Sequence, residues 1–321
     1  AQMSSSRCSV IRWTFLHKGS HNGLPCTPYA RTAEINWMKK TVLVIGGAGF
    51  IGSSLLEALT TDTSLNLISL DDYSNGTPLN HVSGVQYYRG NASKINDIIN
   101  ESAAEVYHFG EYSRVEQSYG DPLAVIKNNC QSLLPVLEYC SKHNSTLLYS
   151  ASSTVFAETK TQTSLSPYTL SKEINTSLLN NLAIWMDIPY RIVYFYNVYG
   201  HREVNDGVNA TLIAKYLKLV KNGAKKLPVN GDGKQIRNFT HIDDVVKALT
   251  LVMRDGNGDG YGIGSDQAFS ILDVVKLFAC EPEFHKNPLG NRSSAPVKNS
   301  KTKQLGWSAT HSLRKYIEKN I

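Results

Sequence analysis

Residues 42–59 read VLVIGGAGFIGSSLLEAL, and this one stretch narrows the possible folds more than any other. Four apolar residues form a run fit for a strand buried on both faces. Glycines follow at three-residue intervals, Gly46, Gly49 and Gly52, and then apolar residues recur at helical spacing. A buried strand that passes so tightly into a helix belongs to a crossover unit, hence to a parallel sheet covered by helices. In such a turn the first glycine permits the sharp bend, the second lets backbone approach a pyrophosphate, and the third lets helix pack on strand. A glycine turn without a ligand is the bland alternative, and the strand before and amphipathic helix after weigh against it. Gly46, Gly49 and Gly52, with Phe50 and Ile51 between them, are therefore candidate cofactor contacts.

The alternation continues. Apolar runs at 41–45, 65–70, 85–88, 105–109, 146–150 and 190–195 alternate with helical patterns near 50–60, 93–102, 121–143 and 168–187. Continuous apolar strands separated by helices predict an α/β fold, a Rossmann-type doubly wound parallel sheet. Beyond residue 196 the alternation weakens, with helices expected near 208–222, 243–254 and 270–279. A smaller mixed C-terminal region that shares strands with the sheet is expected there. We read 38–196 as the cofactor-binding part with the catalytic residues and 197–321 as mainly substrate-binding. Residues 1–37 have no sustained period, and MKKTVLVIGG begins abruptly at Met38. That leader reads as translated upstream sequence or a fusion remnant, with an organelle transit peptide as the alternative.

Charge and cysteines exclude some classes of function. Of the net +6, Arg7, Arg12, Lys18 and Arg31 against Glu34 account for +3 in the leader; the rest is spread without a basic stripe. A nucleic-acid partner is not expected. No apolar run approaches the roughly 20 residues of a membrane helix. Cys8, Cys26, Cys130, Cys140 and Cys280 lack paired ligand spacing, which predicts reduced thiols in a cytoplasmic protein and no metal site.

Two further stretches carry chemistry. The second strand ends in LDDYSNG, where Asp71 is placed to bind adenosine ribose hydroxyls and repel a 2′-phosphate, so NAD is favoured over NADP. Asn75 is a further candidate contact in the same loop. SPYTLSK, residues 166–172, sets Tyr168 four residues before Lys172, on one helix face. An ammonium beside a phenol favours the phenolate, which makes a tyrosine usable as an acid or base. Alone, the stretch also reads as an ordinary helix start with Pro167 near N1.

Together these motifs bring a family into view. From 41 to 307 the chain resembles the extended short-chain dehydrogenase/reductases that act on nucleotide sugars, most closely the UDP-galactose 4-epimerase group. The blocks GGAGFIG, EVYHFGEYSRVEQS, SASSTVFA, SPYTLSK, YFYNVYG, GDGKQIRNFTHIDDVV, YGIGSDQAFSILDVV and LGW match in order. The resemblance implies bound NAD and a catalytic triad: Tyr168 as acid or base, Lys172 holding the nicotinamide ribose, and Ser152 bonding the hydroxyl under oxidation. It also implies a UDP-linked sugar held by Asn197, Arg237 and Arg292. A homodimer through the helices near 121–143 and 168–187 follows as well, though Leu133, Leu134, Leu137 and LLNNLAIW could simply cover the sheet. The family's 4,6-dehydratases carry Thr-Asp-Glu where this chain has Ser152-Ser153-Thr154, so C4 epimerisation is the expected reaction. A nucleotide-sugar dehydratase, a 4-keto-sugar reductase or a dehydrogenase of the same family, or a non-catalytic NAD-binding sensor, is the alternative. Departures fall at Glu111 and Tyr112, at Asn91, in the missing Arg before Asn197, and in the short interval from Ser152 to Tyr168. Glu111 and Arg114 are placed either to touch the sugar or to form a structural ion pair. Glu158 is expected to face solvent, and Asp243 and Asp244 to cap the helix that follows them.

Overall fold

The computed structural model of the protein describes residues 39–156, 166–207, 209–290, 294 and 296–321. Strand β1 (Lys40–Ile45) leads through α1 (Phe50–Leu59) into β2 (Leu65–Asp71) and then β3 (Val85–Arg89). The chain next passes α2 (Ile95–Ile98) and enters β4 (Glu105–His108). It continues as α3 (Pro122–His143), β5 (Thr146–Ser152), α4 (Pro167–Trp185), β6 (Tyr190–Phe195) and β7 (Asn197–Tyr199). The remainder comprises α5 (Leu212–Lys221), β8 (Lys226–Asn230), β9 (Ile236–His241), α6 (Ile242–Asp255), β10 (Gly258–Ile263) and β11 (Ala268–Ser270). It ends with α7 (Ile271–Leu277), β12 (Glu281–His285), α8 (Ser300–Gln304) and α9 (Leu313–Asn320).

Among the described residues the main sheet has seven parallel strands in the order β10-β6-β5-β4-β1-β2-β3. The chain winds outward from β1 to β3, then returns to β4 on the other side of β1. That reversal opens a crevice beyond the C-terminal ends of β1 and β4. Alternate residues of β1 feed different cores. Leu43 and Ile45 join Leu133, Val136 and Leu179 of α3 and α4, whereas Val42 and Val44 join Leu55 of α1 and Val245 and Leu249 of α6. This period of two, apolar on both faces, is why the run reads as continuous rather than alternating. A third core, around Tyr216, Val229, Phe239 and Val274, lies under the smaller sheets β11-β9-β7 and β12-β8.

Two expectations are corrected. The helix read over 93–102 is only α2, four residues long. The chain turns extended at Ile99 because tertiary bonds claim the backbone beyond it: Tyr139 donates to Glu101 O at 2.5 Å and accepts from Ala103 N at 3.1 Å. Nor do Asp243 and Asp244 cap α6. The N-cap is His241, whose Nδ1 accepts from Asp243 N at 3.2 Å. Asp244 is instead fully buried and accepts from Thr310 N, Thr310 Oγ1 and His311 N, pinning the C-terminal segment. Burial opposes its charge, yet those bonds win and hold its carboxyl below the ordinary range.

No helix among the described residues is long and apolar enough to cross a membrane. Cys130, Cys140 and Cys280 are free thiols.

Candidate active site

A cavity of about 760 Å³ opens at the crevice, lined at one end by the glycine loop and at the other by β5, α4 and the small sheets. The loop is built for close approach. Gly46 has φ +84°, and a Cβ there would lie 2.8 Å from Gly110 N after β4. A Cβ on Gly52 would lie 2.2 Å from Gly46 O, so only glycine lets α1 start this close to β1. Gly49 is the N-cap of α1 and supplies no capping side chain, which leaves first-turn N–H groups of the helix for a bound anion. Phe50 and Ile51 line the same wall.

Asp71 ends β2, nearly buried, with Ala48 N and Tyr73 N each donating to its carboxylate at 2.8 Å. Burial outweighs those bonds and pushes its pKa up. Asp72 points instead to Ser74 N and to Asn91 Nδ2 at 3.0 Å. Asn75 lines the cavity and accepts from Asn209 Nδ2 at 2.7 Å, tying the β2 loop to the loop before α5.

At the other end, Ser166 caps α4 by accepting from Thr169 N at 3.0 Å, and Pro167 sits in the first turn. The cap sets Tyr168 and Lys172 on the helix face turned to β5, where both line the cavity and both are nearly buried. Ser152 closes β5, and its Oγ accepts from Thr154 Oγ1 at 3.0 Å and Thr154 N at 3.3 Å. With its lone pairs so occupied, Ser152 retains its own O–H as a donor. Asn197 and Arg237 line the cavity from β7 and β9. Arg237 Nη1 donates to Ile236 O at 2.8 Å. Arg292 and Glu158 lie outside the described residues.

Glu111 is buried and forms an ion pair with Lys172, Oε2 to Nζ at 2.7 Å; it does not pair with Arg114. Tyr149 donates to Oε2 and Asn175 to Oε1, each at 2.9 Å. His108 Nε2 stands 3.6 Å from Oε1. Burial lowers the His108 pKa to about 4, so the ring is neutral at ordinary pH. Arg114 donates through Nε and Nη2 to Asn209 O.

Glu203 lines the cavity too and was not singled out in the sequence. Its carboxylate accepts from Gly200 N at 3.0 Å and from Thr211 Oγ1 at 2.6 Å. Burial raises its pKa to about 7, against those bonds and the pull of Arg114. Nothing local betrays it, because its partners come from the fold of the loop rather than from a spacing.

Away from the cavity, His241, Asp243 and His311 bring ligand-type atoms within 4.8 Å of one another. His241 Nδ1 accepts the cap bond and His311 Nδ1 faces Asp244 Oδ1 at 3.0 Å. The two rings stack at 4.3 Å.

Residues 42–264 match the model of the NAD dependent epimerase/dehydratase family. The chain is 31% identical over 294 residues to a Bacillus subtilis (strain 168) protein named "Uncharacterized UDP-glucose epimerase YtcB", covering 82% of this chain and 91% of that one. It is 27% identical over 267 residues to the dTDP-D-glucose 4,6-dehydratase of Dictyostelium discoideum, covering 73% of this chain but only 60% of that protein. Among solved structures, the UDP-glucose 4-epimerase of Thermotoga maritima with UDP-glucose superposes with a TM-score of 0.80, covering 87% of this chain and 97% of that one at 24% identity.

Proposed function

The chain belongs to the NAD-dependent epimerase/dehydratase family, and on that premise we propose that it is a nucleotide-sugar 4-epimerase acting on a UDP-hexose. The glycine loop fits the cofactor: its uncapped helix start is open to a pyrophosphate, and a Cβ at Gly46 or Gly52 would fill the turn. Gly46, Gly49, Phe50, Ile51 and Gly52 would hold the pyrophosphate, with Asp71 on the adenosine ribose and Asn75 beside it. When bound, NAD would supply a hydride acceptor for the sugar C4 and a hydride donor to the opposite face of the resulting 4-keto sugar.

The chain's own side chains move the proton and hold the sugar. Tyr168 takes the proton of the C4 hydroxyl through its phenolate oxygen and returns it. Lys172, one helical turn on, gives N–H groups to Glu111 and to Ser150 O and keeps its third for the nicotinamide ribose. Ser152 donates its remaining O–H to the reacting oxygen. Arg237 and Asn197 fit the diphosphate, where a guanidinium fork suits phosphate oxygens, and we assign Arg292 to the same role. Residues 38–196 would thus carry mostly cofactor, and 197–321 mostly nucleotide sugar.

The observation that carries epimerisation over dehydration is at Ser153 and Thr154. Elimination of water needs an acid and a base there, and neither hydroxyl serves as one at neutral pH. Thr154 instead spends its hydroxyl on Ser152. We also propose a homodimer through α3 and α4. Leu133 and Leu137 are spent on the sheet, but Leu134, Ile184 and Trp185 remain exposed, the last by 76%.

The test starts from protein purified without added cofactor, which is denatured and assayed for released NAD. Native protein is then given UDP-glucose, UDP-galactose and their N-acetyl forms, and the C4 epimer is sought by NMR. Conversion without net NADH, abolished by Tyr168→Phe, supports the reading. NADH appearing in step with product would make the protein a dehydrogenase and refute it.

A further inference from the structure

We propose that Glu111 is a positioning residue for the proton-moving pair: it fixes the Lys172 ammonium and cancels its charge, so that Tyr168 works beside a neutral pair rather than a bare cation. The inference rests on the reading of Tyr168 and Lys172 given above.

Three observations carry it. First, Glu111 is committed entirely to this cluster. Its side chain is 1% exposed, Oε1 accepts from Asn175, and Oε2 accepts from Tyr149 and pairs with Lys172 at 2.7 Å. A buried carboxylate held by two neutral donors and one cation is tolerable only while that cation stays protonated. Second, Lys172 has no freedom to look elsewhere. Its Nζ also donates to Ser150 O at 2.6 Å, which leaves one N–H for the cavity. Third, the other titratable groups packed against the cluster leave the balance unchanged. His108 on β4 is kept neutral by burial, Tyr149 on β5 is held in its phenol form, and burial pushes the Cys130 thiol on α3 up. Arg114, whose charge reaches Tyr168, is fastened to Asn209 O and stays as it is when Glu111 changes.

The consequence concerns proton count. With Glu111 ionised, Lys172 and Glu111 sum to zero, and Tyr168 loses its proton from a neutral unit. With glutamine there, the same proton leaves a unit of charge +1, so it leaves more readily. In that variant Ser150 O and the amide oxygen of the new side chain would still hold the Lys172 ammonium, with its third N–H kept for the nicotinamide ribose.

The experiment is a titration of NAD-loaded protein carrying tyrosine labelled with 13C at Cζ, with the Tyr168 signal assigned by its loss in Tyr168→Phe. Glu111→Gln is expected to lower the Tyr168 midpoint by about 1 pH unit or more. Glu111→Asp, which keeps the charge, should stay within a few tenths of native. A Glu111→Gln midpoint that is unchanged or higher overturns the proposal, as does an equal shift in Glu111→Asp. If Glu111→Gln gives no folded protein, Tyr149→Phe removes one competing donor and drives more of the carboxylate charge onto Lys172. Its midpoint must then rise, and a fall or no movement overturns the proposal. No turnover is needed, so the titration can succeed while the epimerase reading fails. Conversely, epimer formation with an unmoved titration sinks only the role of Glu111.

Discussion

Replacing Glu203 by glutamine should stabilise the protein above neutral pH and leave it nearly unchanged in mild acid. Burial raises this carboxyl from an ordinary 4.5 to about 7 in the fold. Between those values the folded state binds more protons than the unfolded one, so stability falls as pH rises. The contribution is fully present below about 4.5 and is lost on passing 7. A rise of that size corresponds to roughly 3 kcal/mol, trimmed by solvent screening to about 1–3 kcal/mol at this partly exposed position. Glutamine can keep the local bonds. Its amide oxygen takes Gly200 N, while its NH2 donates to Thr211 Oγ1, which can turn its own proton to Val204 O at 3.5 Å. For a unit of this size each kcal/mol moves the midpoint by about 2–4 °C. Thermal unfolding of native and Glu203→Gln protein, compared at pH 5 and pH 8.5 with saturating NAD, reads the difference directly. The variant should gain several degrees over native at pH 8.5 and little at pH 5. A gap that is the same at both pH values would refute the assignment of that raised pKa to Glu203.

Three further outcomes are expected. Gly52→Ala should cost about 1–3 kcal/mol and strip the purified protein of NAD, because its Cβ would sit 2.2 Å from Gly46 O and 2.8 Å from Gly47 Cα, both backbone; released NAD and a melting curve check both halves. Asp71→Asn puts an NH2 against one of the two N–H donors now at 2.8 Å and removes the charge that repels a 2′-phosphate. Calorimetry should then show NAD binding at least ~10-fold weaker, and a narrower preference for NAD over NADP. Ile184→Glu with Trp185→Glu should convert a dimer to monomer by light scattering, with NAD content unaltered; monomeric native protein would refute the proposed interface.

What was legible in the sequence was whatever is encoded by a local period or a local cap. Val42–Ile45 alternate between two cores, and each is apolar, so the strand is visible before any partner is known. Ser166 and Pro167 announce the start of α4, and with it the shared face of Tyr168 and Lys172. The last parallel strand, β10, was hidden because GDGYGI spends its positions on glycine. The backbone comes close to its neighbours there: a Cβ on Gly262 would meet Lys298 O at 2.0 Å. The false helix over 93–102 fails for a related reason. Helical propensity in that stretch is outbid by one phenol on α3, Tyr139, that takes up two backbone groups at residues 101 and 103.

The site divides along the same line. Residues brought together by being near in sequence, such as the three glycines or the pair four apart, could be placed on one cavity. Glu111 could be flagged as odd after Gly110, but not assigned, because its partners stand 38 to 64 positions away on β5 and α4. A carboxylate in a loop has no period to betray its burial, and its energetic meaning reverses with its surroundings: exposed it is a solvated charge, enclosed it must have a cation. Here the enclosing cation is the lysine of the Tyr-Lys pair itself. If Tyr168 and Lys172 move the proton as proposed, the departure at Glu111 is bonded directly to one of them. That is why we expect pH dependence, rather than the triad, to be where this chain differs from its relatives.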